Sequence, residues 1–157
     1  MGCGKSTLGK KLANKLYKSF FDLDDEIERS EGFSINELFE KYGEDYFRKK
    51  EKEILADIIL NNESFVMSVG GGTPCFYDNM GVIKQSGSSI YLKYNAGILT
   101  SRLINAKSKR PLVKNLSEIE LKVFIQNKLN EREEFYLQAD FILEKNNLRV
   151  EDLIELN

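Results

Sequence analysis

Gly2-Cys3-Gly4-Lys5-Ser6-Thr7 is the stretch from which the rest of this chain is best read. It has the composition of the end of a phosphate-binding loop running into a helix. Glycines let consecutive backbone N–H groups converge on anionic oxygens, and a helix N-terminus behind them adds a partial positive charge. Lys5 would place an ammonium on the same oxygens, and Ser6 offers a hydroxyl to Mg²⁺. A chance Gly-Lys-Ser in a turn is the plain alternative. Leu8, Leu12 and Leu16 recur every four residues directly afterwards, which predicts an amphipathic helix over about residues 5–17 and favours the loop. The complete pattern places a glycine five residues before Gly4, whereas Met1 stands three before it. That glycine and the strand that feeds the loop are expected to lie outside this chain, as from a start site set one strand late or a fragment. Loss of a strand from inside the sheet is expected to be severely destabilising.

Outward from the loop, apolar runs alternate with helical periodicity. Phe20-Phe21-Asp22-Leu23 reads as a short strand ending in acids, and Ser34 with Glu37 as a capping box. Gly43 separates that helix from a longer one carrying Phe47, Ile54, Leu55, Ile58 and Ile59 on or near one face. Phe65 to Val69 reads as a buried strand running straight into Gly70-Gly71-Gly72. Ser89 to Leu92 is a further strand, followed by a helix near 96–104. Ser117 with Glu120 caps a helix reaching about Gln138; Ala139 to Leu143 is a last strand and Val150 to Leu156 a last short helix. Strands alternating with helices argue for a three-layer α/β/α domain around a mostly parallel sheet, with function at the carboxyl ends of its strands.

Composition narrows the chemistry. The 157 residues suit one domain (1–157), and 41% apolar with 31% charged residues is an ordinary globular mixture. A net charge of −2 provides no global basic field for nucleic acid or membrane, so any anion must be held by a local Lys and Arg cluster. No apolar run approaches a membrane span, no leader precedes the first helix, and two cysteines make no disulfide scaffold, so a reducing cytoplasm is expected. The chain contains no histidine, which leaves proton handling to carboxylates and excludes triads and metal sites built on imidazole.

Three groups of residues then stand out. Alternation along an extended chain puts Asp22 and Asp24 on one side, so one could join a metal shell and the other hold an acceptor hydroxyl. The plain alternative is a solvated acidic helix start, which suits Asp25, Glu26 and Glu28 as well. Gly70, Gly71 and Gly72 are expensive in conformational entropy and are used where a ligand approaches the backbone, although a tight turn remains open. Arg48 and Arg132 would read as surface residues from spacing alone. Arg102, Lys107, Lys109, Arg110 and Lys114 form a cationic stretch punctuated only by Pro111, which suits a lid (about 105–116) closing over a triphosphate or an exposed basic loop.

In order and spacing, these motifs resemble the shikimate kinase family across essentially the whole chain. Gly2–Thr7 is similar to its phosphate loop, Phe21-Asp22-Leu23-Asp24 to its Asp-x-Asp stretch, and Ser34-Ile35 through Gly43-Glu44, Phe47-Arg48 and Glu51 to its acceptor-side helices. Gly70–Gly72 resembles its triple glycine, Arg110-Pro111-Leu112 its lid, and Arg132 through Tyr136 to Ala139 the segment after the lid. The resemblance implies a P-loop fold of the nucleoside-monophosphate-kinase kind, with the central strand missing here. It also implies transfer of the ATP γ-phosphoryl group to the 3-hydroxyl of shikimate, on the chorismate route to aromatic amino acids. On that basis Gly2, Cys3, Gly4, Lys5, Ser6 and Thr7 would hold ATP, with Arg110 from the lid and Asn147 near adenine. Ser6 and Asp22 would be Mg²⁺ ligands. Asp24 would bind the acceptor hydroxyls and take a proton. Arg48, Arg132 and Gly70, Gly71 and Gly72 would bind the acceptor, the arginines and Gly71 at its carboxylate. Lys5, Asp24 and Arg110 would carry the catalysis. Partners are the small molecules ATP and shikimate, and the chain is expected to be a monomer.

Three other readings stay open. A gluconate kinase would share the loop and the sheet without requiring paired Arg48 and Arg132. A nucleotide kinase would share the fold, yet the sequence carries no nucleobase-reading signature. A truncated remnant would bind nucleotide poorly. Cys3 and Cys75 are both expected to line the site and to make it sensitive to thiol oxidation.

Overall fold

Gly4 takes a left-handed conformation (φ 86°), and helix α1 (Lys5–Leu16) begins at the next residue. This computed structural model describes residues 2–105 and 116–156. Strand β1 (Ser19–Asp22) leads directly into α2 (Leu23–Glu31), because the Asp22 side chain caps that helix by accepting from the Asp24 N–H at 3.2 Å. Helix α3 (Ile35–Asn61) opens on the predicted Ser34–Glu37 capping box. It breaks at Gly43 (φ 80°, ψ 175°), a conformation that excludes ordinary side chains. Strand β2 (Phe65–Ser68) runs through the glycines to a single 3₁₀ turn (Thr73–Cys75), and α4 (Asn79–Ser86) follows. Strand β3 (Ile90–Lys93), α5 (Ala96–Asn105), α6 (Glu118–Tyr136), β4 (Phe141–Glu144) and α7 (Val150–Ile154) complete the described elements.

Parallel pairing builds the layers. β1 pairs with β2 in a register that sets Ser19 against Phe65 and Asp22 against Ser68, and β3 pairs with β4 from Ile90–Phe141 to Lys93–Glu144. Helices pack on these strands, α1 on β1 and β2 and α2 on β1 and α3, giving the α/β/α arrangement. Leu23, Ile27, Leu38, Phe47, Leu55 and Ile58 form one core under β1 and β2. Leu8, Leu12, Leu99, Leu103, Leu121 and Ile125 belong to a second beside β3 and β4. The expectation of one sheet therefore needs refining. Among the described residues there are two two-stranded parallel sheets, with a cavity of ≈ 490 Å³ lined by residues of both, including Val66, Met67, Ile90 and Leu92. Phe65, Val66 and Met67, expected to be buried, are only partly so.

Two elements escaped the sequence reading. Helix α4 is short and contains Gly81, so its apolar periodicity is weak. Helix α2 does begin with acids, Asp24, Asp25 and Glu26 in its first turn, but the Asp22 that caps it is buried and not solvated. The cationic stretch needs a correction: Arg102 lies inside α5, where its guanidinium stacks 4.1 Å from the Tyr94 ring centre and donates to the Cys3 and Asn146 carbonyls. Lys107, Lys109, Arg110, Pro111 and Lys114 lie outside the described residues. Among the described residues no helix is long and apolar enough to cross a membrane.

Leu121 is fully buried (0% exposed) and Leu60 is 81% exposed. Leu121→Ala is expected to cost about 2–5 kcal/mol in urea unfolding, and Leu60→Ala to stay within about 0.5 kcal/mol.

Candidate active site

The β1–β2 register carries Asp22 and the glycine turn to the same sheet end, and α1 starts beside them. Lys5 Nζ stands 3.9 Å from Asp22 Oδ2 and 4.0 Å from Asp24 Oδ2. The Ser6 hydroxyl donates to Asp22 Oδ2 and lies 3.4 Å from the Ser68 hydroxyl. The two carboxylates converge for a reason other than strand alternation. Asp22 ends β1 and Asp24 already sits in the first turn of α2, so the cap folds both side chains toward Lys5. Thr7 lies in the first turn of α1. Gly2 (φ 71°) and Gly4 (φ 86°) both adopt left-handed conformations, the backbone form that turns neighbouring N–H groups inward into an anion nest.

Each of the three glycines lies against a polar or charged side chain. A Cβ on Gly70 would fall 3.0–3.2 Å from Thr73 Oγ1, Asp24 Oδ1 and Glu51 Oε1. On Gly71 it would meet the Tyr136 hydroxyl at 3.2 Å and Arg132 Nη1 at 3.3 Å. On Gly72 it would lie 2.6 Å from Arg48 Nη2, an outright clash. The triple glycine is thus a backbone ribbon pressed between the acidic cluster and two guanidinium groups.

The two arginines differ. Arg48 is buried (8% exposed) and stacks 4.1 Å from the Phe76 ring centre. Its Nη1 donates to Glu51 Oε2 at 2.8 Å, and Nε and Nη2 both donate to Glu44 Oε1 at 3.1 Å. Three of its five N–H donors are used, leaving two. Arg132 is half-buried and, among the described residues, makes no ion pair; the Tyr136 hydroxyl lies beside it. That hydroxyl donates to the Gly71 carbonyl at 2.5 Å, and burial holds it above the ordinary tyrosine range despite Arg132.

Glu51, Thr73 and Tyr136 were not given roles from the sequence. An acidic residue one turn after Arg48 could have flagged Glu51. Nothing about Thr73 marks it until the turn is seen. Cys3 lines the cavity, while Cys75 lies against the glycine ribbon with its thiol 3.9 Å from the Gly71 carbonyl. Burial pushes the Cys75 thiol up, away from reactive thiolate. Asn147 is exposed on a turn that Arg102 ties to the Cys3 carbonyl through Asn146. Arg110 lies outside the described residues.

The comparisons with known proteins agree on one family. A family model described as shikimate kinase matches residues 1–155. The chain belongs to the shikimate kinase family. It is 45% identical to the shikimate kinase of Azobacteroides pseudotrichonymphae genomovar. CFP2 over 155 residues, 99% of this chain and 91% of that one. Its fold matches the crystal structure of shikimate kinase from Bacteroides thetaiotaomicron with a TM-score of 0.93 at 38% identity, covering 99% of this chain and 93% of the other. The Acinetobacter baumannii shikimate kinase, solved in complex with shikimate, matches with a TM-score of 0.85 at 32% identity, covering 99% and 85%. The P-loop kinase architecture expected from the motifs is thereby established.

Burial lifts the Asp24 carboxyl above its usual range; Asp22, Glu51 and Asp25 add to the rise, and Lys5 opposes it. Protonation of Asp24 is thus favoured by folding. Its stabilising contribution is full below the unfolded pKa and is lost as pH rises through the raised folded value. Asp24→Asn is therefore expected to raise the melting temperature at pH 7, with the gain shrinking as pH falls toward about 4. Thermal melts across that range check it.

Proposed function

We infer that this chain transfers the γ-phosphoryl group of ATP to the 3-hydroxyl of shikimate, the activity for which its family is named. The observation that carries the reading is the convergence at one sheet end of Lys5, Asp22 and Asp24 with the glycine ribbon that Arg48 and Arg132 flank. Phosphoryl transfer asks a protein mainly for positioning and charge neutralisation, so the lack of histidine is no obstacle.

In this reading the N–H groups of Gly2 to Thr7 and the Lys5 ammonium hold the β- and γ-phosphates. Ser6 and Asp22 are the residues that would hold Mg²⁺. Their hydroxyl and carboxylate oxygens already touch, and hard oxygen donors suit that ion. When bound, the ion would offset charge on the phosphate oxygens.

Arg132, Arg48 and the Gly71 N–H would grip the acceptor carboxylate, because guanidinium forks match it bidentately. Asp24 would then face the ring hydroxyls. As the 3-hydroxyl oxygen bonds to the γ-phosphorus and the bridging P–O bond breaks, the hydroxyl proton passes to Asp24 and ADP departs. The raised Asp24 carboxyl is better matched to that proton than an ordinary aspartate. Arg110 would swing in with the lid at about 105–116, and Asn147, near the loop through Arg102, would adjoin the adenine. A single domain over 1–157, acting as a cytoplasmic monomer, completes the proposal.

A gluconate kinase would have no need of the ribbon-flanking arginines, so Arg132 discriminates. Arg132→Ala is expected to weaken shikimate binding by about 2–5 kcal/mol, roughly 30-fold or more in KM, with the KM for ATP within about twofold. Steady-state ADP release with shikimate, gluconate or no acceptor checks this. Equal losses toward both substrates would count against the role.

A further inference from the structure

The reading above needs Arg48 held still, and Arg48 does not reach the glycine ribbon unaided. Its strongest partner, Glu51, is 1% exposed, and a carboxylate buried that deeply must have both oxygens satisfied. Oε2 accepts from Arg48 at 2.8 Å, and Oε1 accepts from the Thr73 hydroxyl at 2.6 Å. Thr73 is itself fully buried (0% exposed) and sits directly after Gly72. Its N–H donates to the Gly70 carbonyl at 3.1 Å, and its carbonyl accepts from Asn79 Nδ2 at 3.0 Å, with Asn79 buried at the start of α4.

These contacts form one line from α4 through the glycine turn to the arginine: Asn79, Thr73, Glu51, Arg48. Because Glu51 is gripped at both oxygens, it cannot turn about its terminal torsion without losing a partner. The turn that brings the ribbon to the ligand therefore also sets the position of the guanidinium beside it.

We propose that Thr73 is a positioning residue for the acceptor site, its hydroxyl locking the Glu51 carboxylate that in turn holds Arg48 against Gly72. The proposal rests on the assignment of Arg48 to the acceptor carboxylate. Thr73 touches no substrate in this scheme and acts only through Glu51. Valine keeps its shape and deletes the hydroxyl, leaving Glu51 Oε1 buried and unpaired. Arg48 is then held by a carboxylate free to turn, and affinity falls for the carboxylate end of the acceptor alone.

The test is steady-state kinetics and thermal melting of Thr73→Val, Thr73→Ser, Arg48→Lys and the Thr73→Val/Arg48→Lys double variant. Thr73→Val is expected to raise the KM for shikimate about tenfold, in keeping with loss of one hydrogen bond to a charged group, and to leave the KM for ATP within about twofold. Thr73→Ser should restore the shikimate KM. In the Arg48→Lys background the valine should add little, because both changes act on one contact. If the valine chain does not melt cooperatively, Thr73→Ala against Thr73→Ser isolates the hydroxyl in the same assay. An unmoved shikimate KM, equal rises for both substrates, or full additivity with Arg48→Lys would overturn the inference. If Arg48→Lys itself leaves the shikimate KM unchanged, the acceptor-site reading falls, and the inference with it. A raised KM in Arg48→Lys beside an unmoved Thr73→Val defeats the inference alone.

Discussion

The parallel register of β1 on β2 is the constraint from which the site follows. Asp22 lies opposite Ser68, so the strand that ends in acids and the strand that ends in glycines finish at one level. A slip of one residue would turn every side chain of β1 to the opposite face. The Ser6 contact to Asp22 and the approach of Lys5 to both aspartates depend on that level being kept. A Cβ on Gly70 would fall 3.1 Å from Asp24 Oδ1, because Asp24 sits in the first turn beyond the same strand.

Charge is balanced locally here and not by the net value of −2. Lys5 faces Asp22 and Asp24, and Arg48 faces Glu51 and Glu44. Each carboxylate near the ribbon has different surroundings. Asp22 is held by a hydroxyl and an ammonium, Glu51 by a guanidinium and a threonine, and Asp24 is left with its proton affinity raised by burial and by its acidic neighbours. Carboxylates pushed into different environments by their surroundings can divide ligation, positioning and proton transfer among themselves, which suits a chain without histidine.

The three glycines let the ribbon approach a different set of neighbours at each position: Thr73, Asp24 and Glu51 at Gly70, Tyr136 and Arg132 at Gly71, and, most tightly, Arg48 at Gly72. A side chain at Gly72 would push into the Arg48 guanidinium, so the spacing of backbone and arginine is a property of the turn itself.

By itself the sequence determined what local chemistry can encode. The phosphate loop and its helix, the Ser34 and Ser117 capping boxes, the break at Gly43 and the alternation of strand and helix all rest on contacts between near neighbours, so spacing alone reveals them. It also supplied the order of motifs that marks the family. Tertiary structure decided the rest. Whether Asp22 and Asp24 share a side was settled by a helix cap, because the strand stops between them. Arg102 became a pin between α5 and the phosphate loop once Tyr94 stood beneath it. Glu51 and Thr73 are 22 positions apart, and no periodicity signals a pairing across that distance. Only the packing of the glycine turn against α3 buries both, and burial is what turns an ordinary acid and an ordinary threonine into an anchor for an arginine.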